Sequence, residues 1–119
     1  MLSRLDKQDR VFKALGHSTR RRILDLLRDA PRTTGELCHR FSGLDRCTVM
    51  QHLSVLQRAE LIVVRTEGRL RWNYLNAMPI KEIHDRWIGA YATQAVELLA
   101  RLERDLEDPD ARQTPGKTV

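Results

Sequence analysis

Apolar residues recur at helical spacing in a series of short runs along the first part of the chain, each run closed by turn-forming residues. Over 6–15 (DKQDRVFKAL) Val11, Phe12 and Leu15 share one helical face, and Gly16 suits a left-handed residue ending that helix. A second helix is predicted from His17-Ser18, with His17 as a variant N-cap. Ile23, Leu24, Leu26 and Leu27 are its apolar face, Arg20, Arg21 and Arg22 face outward, and Ala30-Pro31 stop it. Thr33-Thr34-Gly35-Glu36 matches a capping box, so a short helix is expected over about 34–41 with Leu37 and Phe41 inward. After a tight turn at Ser42-Gly43-Leu44, Asp45 is placed to cap a helix over 45–58. Val49, Leu53 and Leu56 recur there at i, i+4 and i+7 as a buried stripe. Two short helices joined by a glycine-containing turn form a helix-turn-helix candidate.

The period then changes from helical to alternating. Leu61–Thr66 and Leu70–Leu75 flank Glu67-Gly68-Arg69, and the second segment sets Leu70, Trp72 and Tyr74 against Arg69, Arg71 and Asn73. This predicts a β-hairpin with one basic face. Beyond it, Asn76 caps and Pro79 opens a long helix over about 79–107. Its apolar series runs through Ile80, Ile83, Trp87, Tyr91, Leu98 and Leu102 to Leu106. As one straight helix it would be about 40 Å long. So small a domain cannot cover that face alone, which makes Ile80, Ile83, Trp87, Tyr91, Leu98 and Leu102 candidates for contact with a second copy. The fold class that follows is mainly α with a small β-hairpin, one domain over 1–107. The aperiodic 108–119 is expected to be a disordered tail.

Charge narrows the partner. Residues 1–75 carry 15 Lys/Arg against 8 Asp/Glu, and residues 76–119 carry 6 against 8, so the basic excess lies wholly in the first part. With a pI near 9.8 this suits a polyanionic partner, double-stranded DNA for a helix-turn-helix. No apolar run is long enough for a membrane span or a signal peptide, and the expected location is the cytoplasm. Cys38 and Cys47, with no CxxC pair, fit a reducing compartment better than a disulfide framework or zinc ribbon.

On the helix over 45–58, the face opposite the apolar stripe carries Cys47, Gln51, Ser54 and Arg58, with Thr48, Met50 and Val55 on its flanks. In the major groove Gln51 can bond adenine, Arg46 guanine or phosphate, and Thr48 either base or a thymine methyl group. Arg65, Arg69 and Arg71 of the hairpin would lie over the backbone or in a neighbouring minor groove. A solvated helix face and a charge-protected sheet edge are the plainer readings of these segments. The combination of turn, helix and basic hairpin favours DNA.

These segments resemble the ArsR family of winged-helix transcriptional regulators. ALGHSTRRRILDLL is similar to the family's second-helix entry, GELCHRFSGLDRCTVMQHLSVLQRAELI to its helix-turn-helix, and TEGRLRWNYL to its wing. The resemblance covers roughly residues 8–106. It implies a homodimeric repressor at an inverted-repeat operator, with dimer contacts from the first and last helices, and it places His52 near the DNA backbone. The end of the chain is most similar to a subgroup without metal ligands. The family's metal sensors carry ELCVC cysteines that would fall here at Thr33 and Gly35, so Cys38 aligns with a small packing residue and reads as a core cysteine. His84, beside Asp85, reads as a surface histidine, and no metal or cofactor is expected.

No nucleophile, base and orienting group can be assembled and no phosphate-binding glycine loop occurs, so an enzyme is disfavoured. Two alternatives remain open: a metal- or thiol-responsive sensor using Cys38 or Cys47, and a protein-interaction module acting through the last helix.

Overall fold

The computed structural model describes residues 4–107, and the expected tail at 108–119 lies outside them. The described residues fall into two units, one ending at Ile83 and the other beginning at His84. The first holds α1 (Arg4–Leu15), α2 (Ser18–Asp29), β1 (Arg32–Thr33), α3 (Thr34–Arg40), α4 (Arg46–Arg58), β2 (Ile62–Glu67), β3 (Leu70–Leu75) and most of α5 (Met78–His84). A π-helical turn, Asp85–Gly89, and α6 (Ala90–Glu107) make up the second.

One apolar core organises the first unit. α1 contributes Val11 and Ala14, α2 Ile23, Leu24 and Leu27, α3 Leu37 with the adjoining Phe41, and α4 Val49, Leu53 and Leu56. Leu61 and Ile62 join it from the start of the hairpin, and half-buried Cys38 and Ile83 pack against it. Each recurs at the spacing its element demands, so burying these stripes together fixes how the helices meet. Phe12 departs from expectation: it is 42% exposed, and Ala14 takes the inward place. Ala14, with almost no side chain, permits a closer approach than a phenyl ring would.

The helix ends follow local hydrogen bonding. His17 caps α2 by accepting the Thr19 N–H at Nδ1 (3.1 Å), Thr33 caps α3 by accepting from Glu36 N–H (3.1 Å), and Asp45 caps α4. Asn76 accepts the Met78 N–H at the start of α5. The end of α1 differs from expectation, because Gly16 does not take a left-handed conformation. Two arginines satisfy the carbonyls instead: Arg20 donates to Ala14 O (2.7 Å) and Lys13 O (3.0 Å), and Arg21 to Leu15 O (2.6 Å). Positive charge at a helix C-terminus also suits the helix dipole. Arg21 and Arg22 are exposed as expected, Arg22 with its guanidinium 5.3 Å from the Phe41 ring centroid, whereas Arg20 is half-buried.

Left-handed backbone occurs where α4 ends. Glu60 has φ 61°, its N–H donates to Gln57 O, and Leu61 N–H donates to Leu56 O, the paired bonds of a Schellman closure. Asn76 grips the same turn by donating from Nδ2 to Glu60 O (2.8 Å) and from its backbone N–H to Leu61 O (2.8 Å).

The hairpin belongs to a three-stranded antiparallel sheet in the order β1-β3-β2, with β3 central. Strand β1 was not visible in the sequence pattern, since two residues are too short to show alternation. Gly68, at φ 62°, opens the two-residue turn of β2 and β3, as a II′ turn requires. Pairing of Val64 with Asn73, Thr66 with Arg71 and Arg65 with Trp72 puts Arg71 and Arg65 on opposite faces. The expected single basic face is therefore corrected: Asn73 is 1% exposed and Leu70 is exposed.

In the second unit, α6 carries Tyr91, Val96, Leu98, Leu99, Leu102 and Leu106, all exposed by half or more. The single long α-helix expected over 79–107 is also corrected. The π turn holds more residues per turn than an α-helix, so a uniform count breaks at Asp85–Gly89. Alone, α6 is about 27 Å long. No helix of the described residues is long and apolar enough to cross a membrane.

Candidate nucleic-acid interface

The interface is built on α4. Its first turn is fixed by Asp45, whose Oδ1 accepts the Thr48 backbone N–H at 2.7 Å. That backbone bond, followed by the Thr48 hydroxyl, holds the Asp45 carboxyl below the usual carboxylate range, so it is ionised and complements the positive end of the helix dipole. With Val49, Leu53 and Leu56 buried, α4 cannot rotate without exposing its stripe, and the opposite face is held outward.

That face carries most of the expected residues. Arg46, Cys47, Met50, Gln51 and Arg58 are exposed, and Thr48 and Ser54 are half-buried. Arg58 donates from Nη2 to Ser54 Oγ (3.2 Å), a bond between neighbouring turns. His52 stands apart from this group. Its Nδ1 lies 3.2 Å from Arg20 Nη1, and its ring is 4.5 Å from that of His17, so it faces the start of α2. Burial first, then the neighbouring His17 and Arg20, push the His52 imidazole below its ordinary value of 6.5. The neutral ring thereby keeps a lone pair for Arg20.

Between α4 and the sheet lies an open cleft of about 250 Å³. Met50, Leu53, Ser54 and Gln57 line it from the helix, Val64, Arg71 and Asn73 from the strands, and Thr34 from the start of α3. Of the wing arginines, Arg71 faces this cleft, Arg69 sits at the hairpin tip, and Arg65 stands on the other face; all are exposed. Sequence reasoning missed Gln57, although Met50, Ser54 and Gln57 repeat at i, i+4 and i+7 along the same helix. It also missed Thr34 and Asn73, because their nearness depends on strand pairing.

The cysteines occupy different settings: Cys47 is exposed on the outward face, and Cys38 is half-buried against the core. No group of three or more His, Cys, Asp or Glu able to hold a metal occurs among the described residues. His84 is exposed and pairs with its neighbour Asp85 at 3.3 Å. Of the residues expected at a dimer contact, Ile83 packs partly against the core of its own unit, whereas Ile80, Trp87, Tyr91, Leu98 and Leu102 are exposed.

A capped outward-facing helix after a helix-turn, beside an arginine-bearing hairpin, defines a winged helix-turn-helix DNA-binding domain. The helix-turn-helix domain family matches residues 15–65. The transcriptional repressor SdpR of Bacillus subtilis is 33% identical over 72 residues, covering 60% of this chain and 79% of its own. The uncharacterised regulator YuzN of the same organism is 38% identical over 87 residues, covering 68% of this chain and 95% of its own. Among solved structures, an ArsR family transcriptional regulator superposes with a TM-score of 0.64 at 25% identity, covering 84% of this chain and 97% of that one. Mycobacterium tuberculosis Rv0081 superposes with a TM-score of 0.54 at 33% identity, covering 82% and 89%. The chain belongs to the ArsR family of winged helix-turn-helix transcriptional regulators. It is a DNA-binding regulator, of a family that works by binding rather than by catalysis.

Proposed function

We propose that the protein is a homodimeric repressor, acting in the cytoplasm, that reads an inverted-repeat operator with α4 and steadies itself through the wing. Residues 1–107 then serve as one functional domain whose second unit supplies the dimer contact. The observation that carries the reading is the pairing of two unlike exposed surfaces. The polar face of α4 suits base edges, and the apolar face of α6 suits a second copy. In this reading Arg46, Thr48, Met50, Gln51 and Ser54 approach bases, and Arg58, Arg65, Arg69 and Arg71 approach phosphates. His52 acts indirectly, by holding α4 against α2 through Arg20. Repression is supported by the relative SdpR, itself a transcriptional repressor.

Gel filtration with light scattering, combined with a salt titration on random duplex DNA, tests the proposal. A dimer whose DNA affinity falls steeply with salt is expected. A stable monomer, or a protein indifferent to DNA, would favour a protein-interaction module instead. A second reading, a thiol-responsive form of the same regulator, is favoured by the exposure of Cys47 on the outward face of α4. Oxidation there would add bulk where the groove must enter. Retained oxidant sensitivity of operator binding in Cys47→Ser would refute it.

A further inference from the structure

The most buried polar side chain of the wing is Asn73, at 1% exposure in the middle of the central strand. From Nδ2 it donates to Arg32 O (3.1 Å) and to Thr34 Oγ1 (3.2 Å). Arg32 belongs to β1, and Thr34 is the first residue of α3, whose N-cap is the intervening Thr33. These two bonds, one on either side of Thr33, therefore tie the wing's central strand directly to the start of the helix-turn-helix. An apolar side chain at position 73 could be buried as well, but it would make no directional bond. A buried amide with both N–H groups satisfied admits far fewer strand positions.

The cleft beside Asn73 makes this tie consequential. On the cleft side, about 250 Å³ of open space lies between α4 and the sheet at Asn73 and Arg71, while Val64 of β2 packs against the core. Arg71 lies two residues from Asn73, on the same face of the same strand. A small rotation of β3 about position 73 would swing Arg71, and with it Arg69 at the tip, relative to Ser54 and Gln57.

We propose that the Asn73–Thr34 hydrogen bond is a positioning element that holds the wing arginines against the same stretch of DNA that α4 reads. The proposal rests on the reading above in which those arginines touch phosphates. Neither Asn73 nor Thr34 touches DNA; they act through Arg69 and Arg71.

The test uses the full chain and five variants: Thr34→Val, which keeps the shape without the hydroxyl, Thr34→Ser, Asn73→Ala, a triple Arg65→Ala, Arg69→Ala, Arg71→Ala protein, and that triple variant carrying Thr34→Val as well. DNA affinity is measured against salt on random duplex DNA, at a temperature where circular dichroism shows each protein folded. Thr34→Val is expected to lower the slope of log K against log salt by about 0.9 for each phosphate that the wing no longer neutralises. Thr34→Ser should keep the wild-type slope, and a folded Asn73→Ala should behave as Thr34→Val. In the arginine-free background Thr34→Val should weaken DNA binding no further, because nothing is left to position. A Thr34→Val protein with the wild-type slope, or one that weakens binding equally with and without the arginines, would overturn the proposal while leaving the wing's role intact. If the triple variant itself keeps the full slope, the wing does not touch phosphates, and both readings fall.

Discussion

Gln51 offers the sharpest separation of reading from folding. It is exposed at the centre of the outward face of α4, with buried Val49 and Leu53 two residues to either side, so truncating it leaves the core intact. A bidentate Gln–adenine pair is worth about 1–3 kcal/mol of discrimination, or roughly 5- to 150-fold per site. An operator with two half-sites would lose about twice that free energy. Surface substitutions of this kind change stability by only about 0.5 kcal/mol either way, and alanine is a slightly better helix former than glutamine. Gln51→Ala should therefore melt as the wild type does while losing affinity for its operator. The loss should disappear on an operator in which the adenine opposite Gln51 is replaced. The assay is a matched set of fluorescence-anisotropy titrations on duplexes differing at one symmetric base pair, beside a thermal melt. A loss of equal size on every duplex would mean that Gln51 touches only backbone, and no loss would mean that this face does not read DNA.

Other outcomes follow from the same geometry. Leu56→Ala, at a fully buried site of α4, should cost about 2–5 kcal/mol in urea denaturation, and a cost near zero would contradict the packing described. His52 is held below 6.5 when folded, so between that native value and 6.5 the unfolded chain binds more protons. Its contribution to stability should be complete above pH 6.5 and be lost as pH falls through the native value. His52→Gln should flatten that fall in urea midpoints below pH 6.5, and unchanged pH profiles would count against the burial of His52 beside His17 and Arg20. Leu98→Glu should shift the protein from dimer to monomer in light scattering while its circular dichroism stays helical. A persisting dimer would move the interface elsewhere.

Much of this organisation was legible because it is local. The Asp45, Thr33 and His17 caps, the stripe of Val49, Leu53 and Leu56, and the Gly68 turn each depend on residues within a turn or two of one another. What was not legible depends on distant partners. Phe12 and Ala14 exchange burial because α2 and α4 pack on α1, and the α1 carbonyls that a left-handed Gly16 would close are met by Arg20 and Arg21 from the next helix. Asn73 reads as part of a polar alternation, yet it is buried because β1, a strand too short to announce itself, pairs beside it. On α4 the outward residues followed from helical angles alone. The diversion of His52 to Arg20 and His17 required knowing where α2 lies.

The central claim is that two copies of α4 read a symmetric site, and selection of bound duplexes from random DNA by the intact protein tests it most directly. The predicted result is enrichment of an inverted repeat whose half-sites are centred about one helical turn, roughly 10–10.5 base pairs, or a multiple of it apart. Each half-site should carry an adenine preference that disappears when Gln51→Ala protein is used for the selection. Recovery of a single asymmetric site, or of no sequence preference at all, would contradict the claim.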